Sequence, residues 1–249
     1  MYNPFSLEGK TILVTGASSG IGRATAIECS KMGAKLVITG RNEKRLRETF
    51  ELLCGEGHIC IQADITLEKE RKHLVEDMLL LDGIVHCAGI SGHFLFTFLK
   101  EKILEEMFDI NYYAPLYLTK NLLKHKKISQ GASIVFLTST SGILSSYIGG
   151  SIYSSTKGAL NGLIKALSLE LAPKRIRVNG VMPAMVETPI MNDGDITSEQ
   201  FEKDKDFYPL KRYGRVEEVA YAVIYLLSDA ASWTTGTNIL LDGGRSAAY

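Results

Sequence analysis

No stretch of this 249-residue chain is apolar for long. Uninterrupted apolar runs, such as residues 78–81, fall far short of the roughly 20 residues that span a bilayer, so no membrane-crossing helix is expected. Net charge is missing too: 28 Lys plus Arg balance 28 Asp plus Glu. That balance argues against nucleic-acid and anionic-membrane partners. Residues 1–10 hold no basic segment followed by a long apolar one, so no secretory leader is expected. The four cysteines (Cys29, Cys54, Cys60, Cys87) have neither CxxC nor zinc-type spacing. They read as free thiols of a reducing cytoplasm, and a disulfide would require two of them to meet in space. The five histidines (His58, His73, His86, His93, His125) are scattered, so no metal site is expected.

What remains is an ordinary soluble composition, 45% hydrophobic and 22% charged, at a length that suits one large α/β domain. Residues 11–14 form a short apolar, β-branched run that reads as a buried strand. Gly16-Ala17-Ser18-Ser19-Gly20-Ile21-Gly22 follows, then a helix predicted over 24–32 and closed by Gly33, then a strand over 36–39. Strand, glycine turn, helix and strand make a βαβ unit. A phosphate-binding turn needs backbone N–H groups aimed at the ligand, no Cβ in the way and a helix N-terminus behind. The spacing is GxxxGxG, not the usual GxGxxG, and the flanking strand and helix favour that role over a plain connector.

The alternation continues, with strands predicted at 59–62, 84–87, 133–138, 176–181 and 238–241. Helices are predicted over 68–78, 103–123, from Tyr153 onward, and over 216–227. Pro115 must kink or divide the 103–123 helix unless it falls in a first turn. The expected architecture is a single Rossmann-type domain over 1–249. Its core is a doubly wound seven-stranded parallel sheet flanked by helices, with ligands at the carboxyl ends of the strands. Residues 185–213 are long, irregular and polar, and are expected to form a substrate loop.

Tyr153 and Lys157 stand four residues apart at the start of a helical pattern carried by Leu160, Leu163, Leu167 and Leu171 and ended by Pro173. Residues at i and i+4 share a helix face. A free phenol has a pKa of about 10, and a cation held beside it favours the phenolate. Lys157 is therefore expected to lower the Tyr153 pKa and make it a general acid/base near neutral pH.

With these motifs in order, the chain resembles the short-chain dehydrogenase/reductase family along nearly its whole length. Residues 15–22 match the family's coenzyme turn. The resemblance assigns coenzyme binding to Gly16, Ser18, Ser19, Gly20, Ile21, Gly22, Arg41, Asp64, Ile65, Cys87, Ala88, Gly89, Pro183, Val186 and Thr188, with Asp64 holding the adenine. It assigns catalysis to Asn111, Ser139, Tyr153 and Lys157, the last two and Asn111 also meeting the coenzyme. Ser139 with Gly142 matches the family's SxxG, and Asn179 and Asp242-Gly243-Gly244 also match. Three departures stand out. The family's NNAG is His86-Cys87-Ala88-Gly89, which implies altered hydrogen bonding under the central strand. PG is Pro183-Ala184. Ser139 lies 14 residues before Tyr153, one more than usual, which implies an inserted residue within 143–152 and leaves Thr140 and Ser141 as neighbouring hydroxyls. The stretch between Asp64 and His86 is short, implying a trimmed helix.

The implied reaction is hydride transfer between NADP(H) and a carbonyl or secondary alcohol, with Ser139 stabilising the oxygen, Tyr153 transferring the proton, Lys157 holding the nicotinamide ribose and Asn111 holding a water. NADP(H) is expected over NAD(H) because Gly40 removes a carboxylate from the second strand's end and Arg41 supplies a phosphate fork. A non-catalytic NADP(H)-binding regulator is the alternative from another class, and such a protein would be expected to lack Tyr153 or Lys157. A homotetramer is implied, with Ser155, Ala159 and Gly162 as a face for like helices or for packing within the subunit. Within the family the resemblance is nearest to 3-oxoacyl carrier-protein reductases, whose acidic partner would need a basic rim. Lys124, Lys126 and Lys127, and Lys174-Arg175, are the candidates, or else plain solvated charge. A small ketone, sugar or steroid is the alternative substrate. The pocket is expected to draw on Phe94, Phe96, Leu144, Tyr147, Ile190 and Met191, with His93 facing either substrate or solvent.

Overall fold

The computed structural model describes residues 2–188 and 198–248. Among them, strands alternate with helices in the order β1 (Thr11–Thr15), α1 (Gly20–Lys31), β2 (Lys35–Gly40), α2 (Glu43–Glu51), β3 (Ile59–Gln62), α3 (Glu68–Glu76), β4 (Leu81–His86), α4 (Glu101–Phe108), α5 (Ala114–Lys124), β5 (Ile128–Leu137), α6 (Ser151–Glu170), β6 (Arg177–Pro183), α7 (Ser198–Lys205), α8 (Val216–Leu227) and β7 (Asn238–Leu241). The strands form one parallel seven-stranded sheet, ordered β3-β2-β1-β4-β5-β6-β7.

Successive strand residues point to opposite faces, and this sheet is covered on both. Ile12, Val14, Leu36, Ile38, Val85, Val135 and Leu137 pack into a core with α1 and α8. Their neighbours Leu13, Val37, Ile84, Ile134 and Phe136 pack into a second core with α3, α5 and α6. Strand order reverses between β1 and β4, where Thr15 lies opposite His86. The carboxyl ends of these two strands open the crevice in which doubly wound sheets bind ligands.

The predicted 103–123 helix is three pieces: α4, a π turn over Asp109–Tyr113, and α5 with Pro115 in its first turn. Pro115 has no N–H to give the carbonyl four residues earlier, that of Asn111, and the helix widens there. Two helices form where none was predicted. In α2 only Leu46 and Thr49 are buried, so apolar periodicity is thin, and Asn42 caps it by accepting the Arg45 N–H at 2.9 Å. The other, α7, stands within the span expected to be irregular. It is tied to the chain's end: Arg245 reaches Asp204 at 2.9 Å, and the hydroxyl of the buried Tyr213 reaches the same carboxylate at 3.0 Å.

Candidate active site

The turn after β1 is shaped by what its glycines lack. A Cβ on Gly16 would stand 2.7 Å from the Ala88 Cα, and one on Gly22 would run into the Gly16 carbonyl oxygen. The turn therefore closes against residues 87–88 only with glycine at both places. Behind it, Ser19 precedes the first residue of α1 and its side chain caps nothing, and the helix's first turn holds no acidic residue. By contrast, α2 and α3 carry Glu43, or Glu68 and Glu70, in theirs. The amides and the positive dipole end of α1 are thus left for an anion, which fits the pyrophosphate of a dinucleotide. Thr188 faces Gly20 across this cradle, 3.7 Å from where a Cβ would be. Val186 bridges to Gly214 below it, and Pro183 ends β6.

The rest of the expected coenzyme set rims the same crevice. Gly40 ends β2 with the Ser18 hydroxyl against it, and exposed Arg41 follows, its carbonyl held by the Gln62 side chain at 2.9 Å. Asp64 sits just past β3, one carboxylate oxygen taken by the Thr66 amide and hydroxyl, and Ile65 is buried beside it. Gly16 to Gly20 also spells GxSxG, the pattern of a hydrolase nucleophile turn. Among the described residues, however, Ser18 has no hydrogen bond to a histidine.

On the other wall, Gly142 has a φ of +85°, and a Cβ there would collide with the Ser154 carbonyl. The β5 loop consequently lies flat on the first turns of α6 and brings Ser139 to Tyr153. The Ser139 hydroxyl faces the Tyr153 phenol, drawing its pKa down, and accepts the Ser141 N–H at 3.1 Å. Neither Thr140 nor Ser141 is the hydroxyl that meets the phenol. One turn on, the Lys157 ammonium lies 5.6 Å from the Tyr153 ring centroid and donates to the Leu137 carbonyl at 2.7 Å. Asn111 is buried in the π turn, exchanges two hydrogen bonds with the Ile90 backbone (2.8 and 2.9 Å) and reaches Thr156 at 3.2 Å. A Cβ on Gly89 would contact both the Asn111 amide oxygen and the Lys157 ammonium, so these two side chains converge beside that glycine.

The electrostatics differ from the expectation. Burial pushes the Tyr153 phenol above its ordinary value, and only the Ser139 hydroxyl pulls it down. Lys157 does not lower it in the protein alone. That ammonium is itself desolvated, its pKa depressed to about 8, and a backbone carbonyl holds it. The cost of burial outweighs the pull of the Ser139 hydroxyl.

At the His86 departure, the imidazole stacks on Phe136 with centroids 4.7 Å apart. Its Nε2 meets the Thr119 hydroxyl at 2.8 Å, and that hydroxyl donates to the Pro115 carbonyl at 2.8 Å. The threonine's single proton is spent, so Nε2 is the donor. Nδ1 is buried without a partner, and burial holds the imidazole neutral, with its pKa down to about 3.

The family described as enoyl-(acyl carrier protein) reductase matches residues 16–246. The 3-oxoacyl-[acyl-carrier-protein] reductase of Rickettsia typhi is 34% identical over 240 residues, 95% of this chain and 96% of its own. The chain belongs to the short-chain dehydrogenase/reductase family. A glucose/ribitol dehydrogenase member of this family from Brucella melitensis superposes with a TM-score of 0.90 at 32% identity, covering 98% of this chain and 99% of that one. A candidate 2-deoxy-D-gluconate 3-dehydrogenase from Agrobacterium tumefaciens, solved with bound NADP, gives 0.89 at 28% identity over 99% and 100%. The chain is thus an oxidoreductase of a family that uses NAD(P)(H).

Sequence reasoning missed Thr156, which braces Asn111 from within the YxxxK stretch, and the link from His86 through Thr119 to the π turn. No spacing signals either. The two basic clusters are also not where a rim would need them. Lys124, Lys126 and Lys127 precede β5, and Lys174 and Arg175 precede β6, so in a parallel sheet both lie at the amino ends, opposite the site. Lys127 is occupied there, donating to the Glu76 and Met78 carbonyls. Ile190 and Met191, expected in the pocket, lie outside the described residues.

Proposed function

We propose that this family member is an NADP(H)-dependent reductase/dehydrogenase that interconverts a carbonyl and a secondary alcohol. The observation that carries the reading is the Tyr153 phenol. It faces the Ser139 hydroxyl, stands one turn from Lys157, and is set at the carboxyl ends of the strands beside the α1 cradle. A bound nicotinamide coenzyme supplies or accepts the hydride. Tyr153 gives the proton to the forming alkoxide, and Ser139 donates a hydrogen bond to the same oxygen. Lys157 would hold the nicotinamide ribose, and the positive charge of the oxidised ring would offset the burial that raises the phenol. Asn111 anchors the π turn against Ile90 and holds a water toward Lys157. The presence of both Tyr153 and Lys157 in this arrangement favours an enzyme over a coenzyme-binding regulator.

NADP(H) over NAD(H) is supported by Gly40 and Arg41 at the end of β2, where no carboxylate stands against a 2′-phosphate. Similarity to 3-oxoacyl-[acyl-carrier-protein] reductases supports a 3-oxoacyl substrate. A small free ketone is the second reading, favoured by the basic clusters lying at the opposite end of the sheet. A homotetramer is supported by the open face of α6, where Ser155 is exposed and a Cβ on Gly162 would meet nothing. Exposed Tyr113, Tyr117, Tyr221 and Trp233 are further candidates for subunit contacts. No described helix is long and apolar enough to cross a membrane, and we take the compartment to be the cytoplasm. The test is a panel of carbonyl compounds with NADPH or NADH, read by loss of reduced-coenzyme absorbance. Turnover with NADPH that disappears in Tyr153→Phe supports the reading. A wild-type preference for NADH overturns the coenzyme assignment, and light scattering that finds a monomer overturns the assembly.

A further inference from the structure

We propose that His86 is a positioning residue for the reaction: acting through Thr119, it fixes the π turn over Asp109–Tyr113 and with it the place of Asn111 beside Lys157. This rests on the carbonyl-reductase reading above, in which Asn111 holds a water toward Lys157.

The π turn is weakly held by its own backbone. Pro115 gives no N–H to the Asn111 carbonyl, so the helix ladder lacks a rung where Asn111 sits. A widened turn of this kind is rare, and here it is fixed from outside at both ends. At one end the Asn111 side chain exchanges bonds of 2.8 and 2.9 Å with the Ile90 backbone. At the other the Thr119 hydroxyl donates to the Pro115 carbonyl at 2.8 Å, a back-bond of the kind that bends helices. With its proton spent there, that hydroxyl accepts from His86 Nε2 at 2.8 Å, and the two bonds together lock its rotation. The imidazole cannot turn aside. It is buried and stacked on Phe136, and burial keeps it neutral, so Nε2 carries its only proton.

The segment from His86 to Ile90 is thus pinned twice, by His86 to α5 and by Ile90 to the π turn. Gly89 lies between the pins, and a Cβ on it would stand 3.1 Å from the Asn111 amide oxygen and 3.8 Å from the Lys157 ammonium. The coenzyme side of the same segment has a separate hold. The Ala88 N–H donates to the Thr15 hydroxyl at 3.3 Å, and the Ala88 backbone packs where Gly16 has no Cβ. The β4 backbone pairs with Thr15 and Phe136 without help from the imidazole. Losing the His86 N–H therefore loosens Asn111 and leaves the coenzyme cradle standing. A histidine that only filled the core would not divide its effects in this way.

The experiment compares His86→Phe, which keeps the stack and removes the donor, with Thr119→Val, which keeps the shape and removes the hydroxyl. In both, kcat for a verified ketone should fall roughly ten- to a hundredfold, the cost of about an ångström of misplacement, with KM for NADPH within about threefold. His86→Gln and Thr119→Ser, which keep a donor and a hydroxyl, should recover most of the loss. The double variant should be no worse than the poorer single one, because both cut one link. Hydrogen exchange read by mass spectrometry needs no turnover: the amides of residues 109–114 should exchange at least roughly tenfold faster in His86→Phe and Thr119→Val, with those of β1 and β6 unchanged. Wild-type kcat in the folded Phe and Val variants, equal losses in kcat and coenzyme affinity, or single effects that multiply in the double variant overturn the proposal. Faster exchange in a protein that reduces no ketone would keep the pin and remove the reductase reading. Unchanged exchange and kcat in a protein that does reduce ketones would do the reverse.

Discussion

The two walls of the crevice are made of different material. The proposed coenzyme wall is mostly backbone: the amides of α1, the missing Cβ atoms of Gly16 and Gly22, and the close approach of Ala88. The proposed substrate wall is mostly side chain: Ser139, Tyr147, Tyr153 and the uncharged loops on either side. A backbone cradle constrains its residues by what they must not carry. A side-chain wall can be rebuilt residue by residue while the strands beneath it stay the same. One fold can therefore keep a single coenzyme cradle and present many substrate surfaces.

Crossing one substitution from each wall tests this most severely. Tyr153→Phe should lower kcat by about 10²- to 10⁴-fold, the usual worth of a positioned proton donor, and leave the coenzyme Kd within about threefold. Gly22→Val should abolish coenzyme binding in a fluorescence titration, because its Cβ overlaps the Gly16 carbonyl. Lys157→Met should damage both. If Tyr153→Phe turned over a verified ketone at the wild-type rate, the proton-donor assignment would be wrong.

The difference between the walls also explains what could be read in advance. Strand alternation and the glycine turn are local demands, so the seven-stranded parallel sheet was legible from residues such as Leu13, Val14, Gly16 and Gly22. Helix α2 was not, because Leu46 and Thr49 are its only buried residues. The Tyr153–Lys157 pair was legible as geometry, since i and i+4 share a face. Its electrostatics were not, because desolvation of Lys157 depends on Leu137, Asn111 and Gly89 arriving from elsewhere in the chain. The His86–Thr119–Pro115 link joins residues 33 positions apart and leaves no pattern.

The next largest effect concerns His86, where a side chain does structural work under the backbone wall. Its pKa is depressed in the folded state, so the unfolded chain binds more protons between the ordinary histidine value and about 3. Stability from this group is therefore full above about pH 6.5 and is lost as pH falls toward 3, at up to about 1.4 kcal/mol per unit. Between pH 6.5 and 5, before most carboxylates titrate, urea unfolding should show a loss of about 2 kcal/mol. His86→Phe keeps the stack on Phe136 and removes the titration, so its stability should be flat over that window. Equal slopes in the two proteins would refute the buried neutral imidazole.

Arg41 tests whether any side chain matters on the coenzyme wall. Arg41→Ala should raise KM for NADPH about tenfold, the loss of one charge-assisted contact at an exposed site, and leave NADH nearly unaffected. Equal losses with both coenzymes would mean that the arginine is a solvated charge and that the cradle alone binds the dinucleotide.

The smallest effect is expected from charge reversal at Lys126 and Lys174, and its smallness is informative. These residues sit at the amino ends of β5 and β6, while Ser139 follows the carboxyl end of β5. At roughly 3.3 Å per residue, the ten residues of β5 put about 30 Å between cluster and site. That is about three Debye lengths at 0.1 M salt, so these charges cannot steer a partner to the crevice mouth through solvent. Local structure accounts for the basic residues instead. Lys126 and Arg175 take left-handed conformations where helical segments end, and Lys127 satisfies the Glu76 carbonyl at the end of α3 and the Met78 carbonyl just past it. Lys126→Glu with Lys174→Glu should change kcat/KM by less than twofold on both a carrier-bound 3-oxoacyl substrate and a short 3-oxo ester. A steep loss confined to the carrier-bound substrate would mean that an acidic partner wraps from the site to the far end of the sheet. The basic face would then belong to recognition after all.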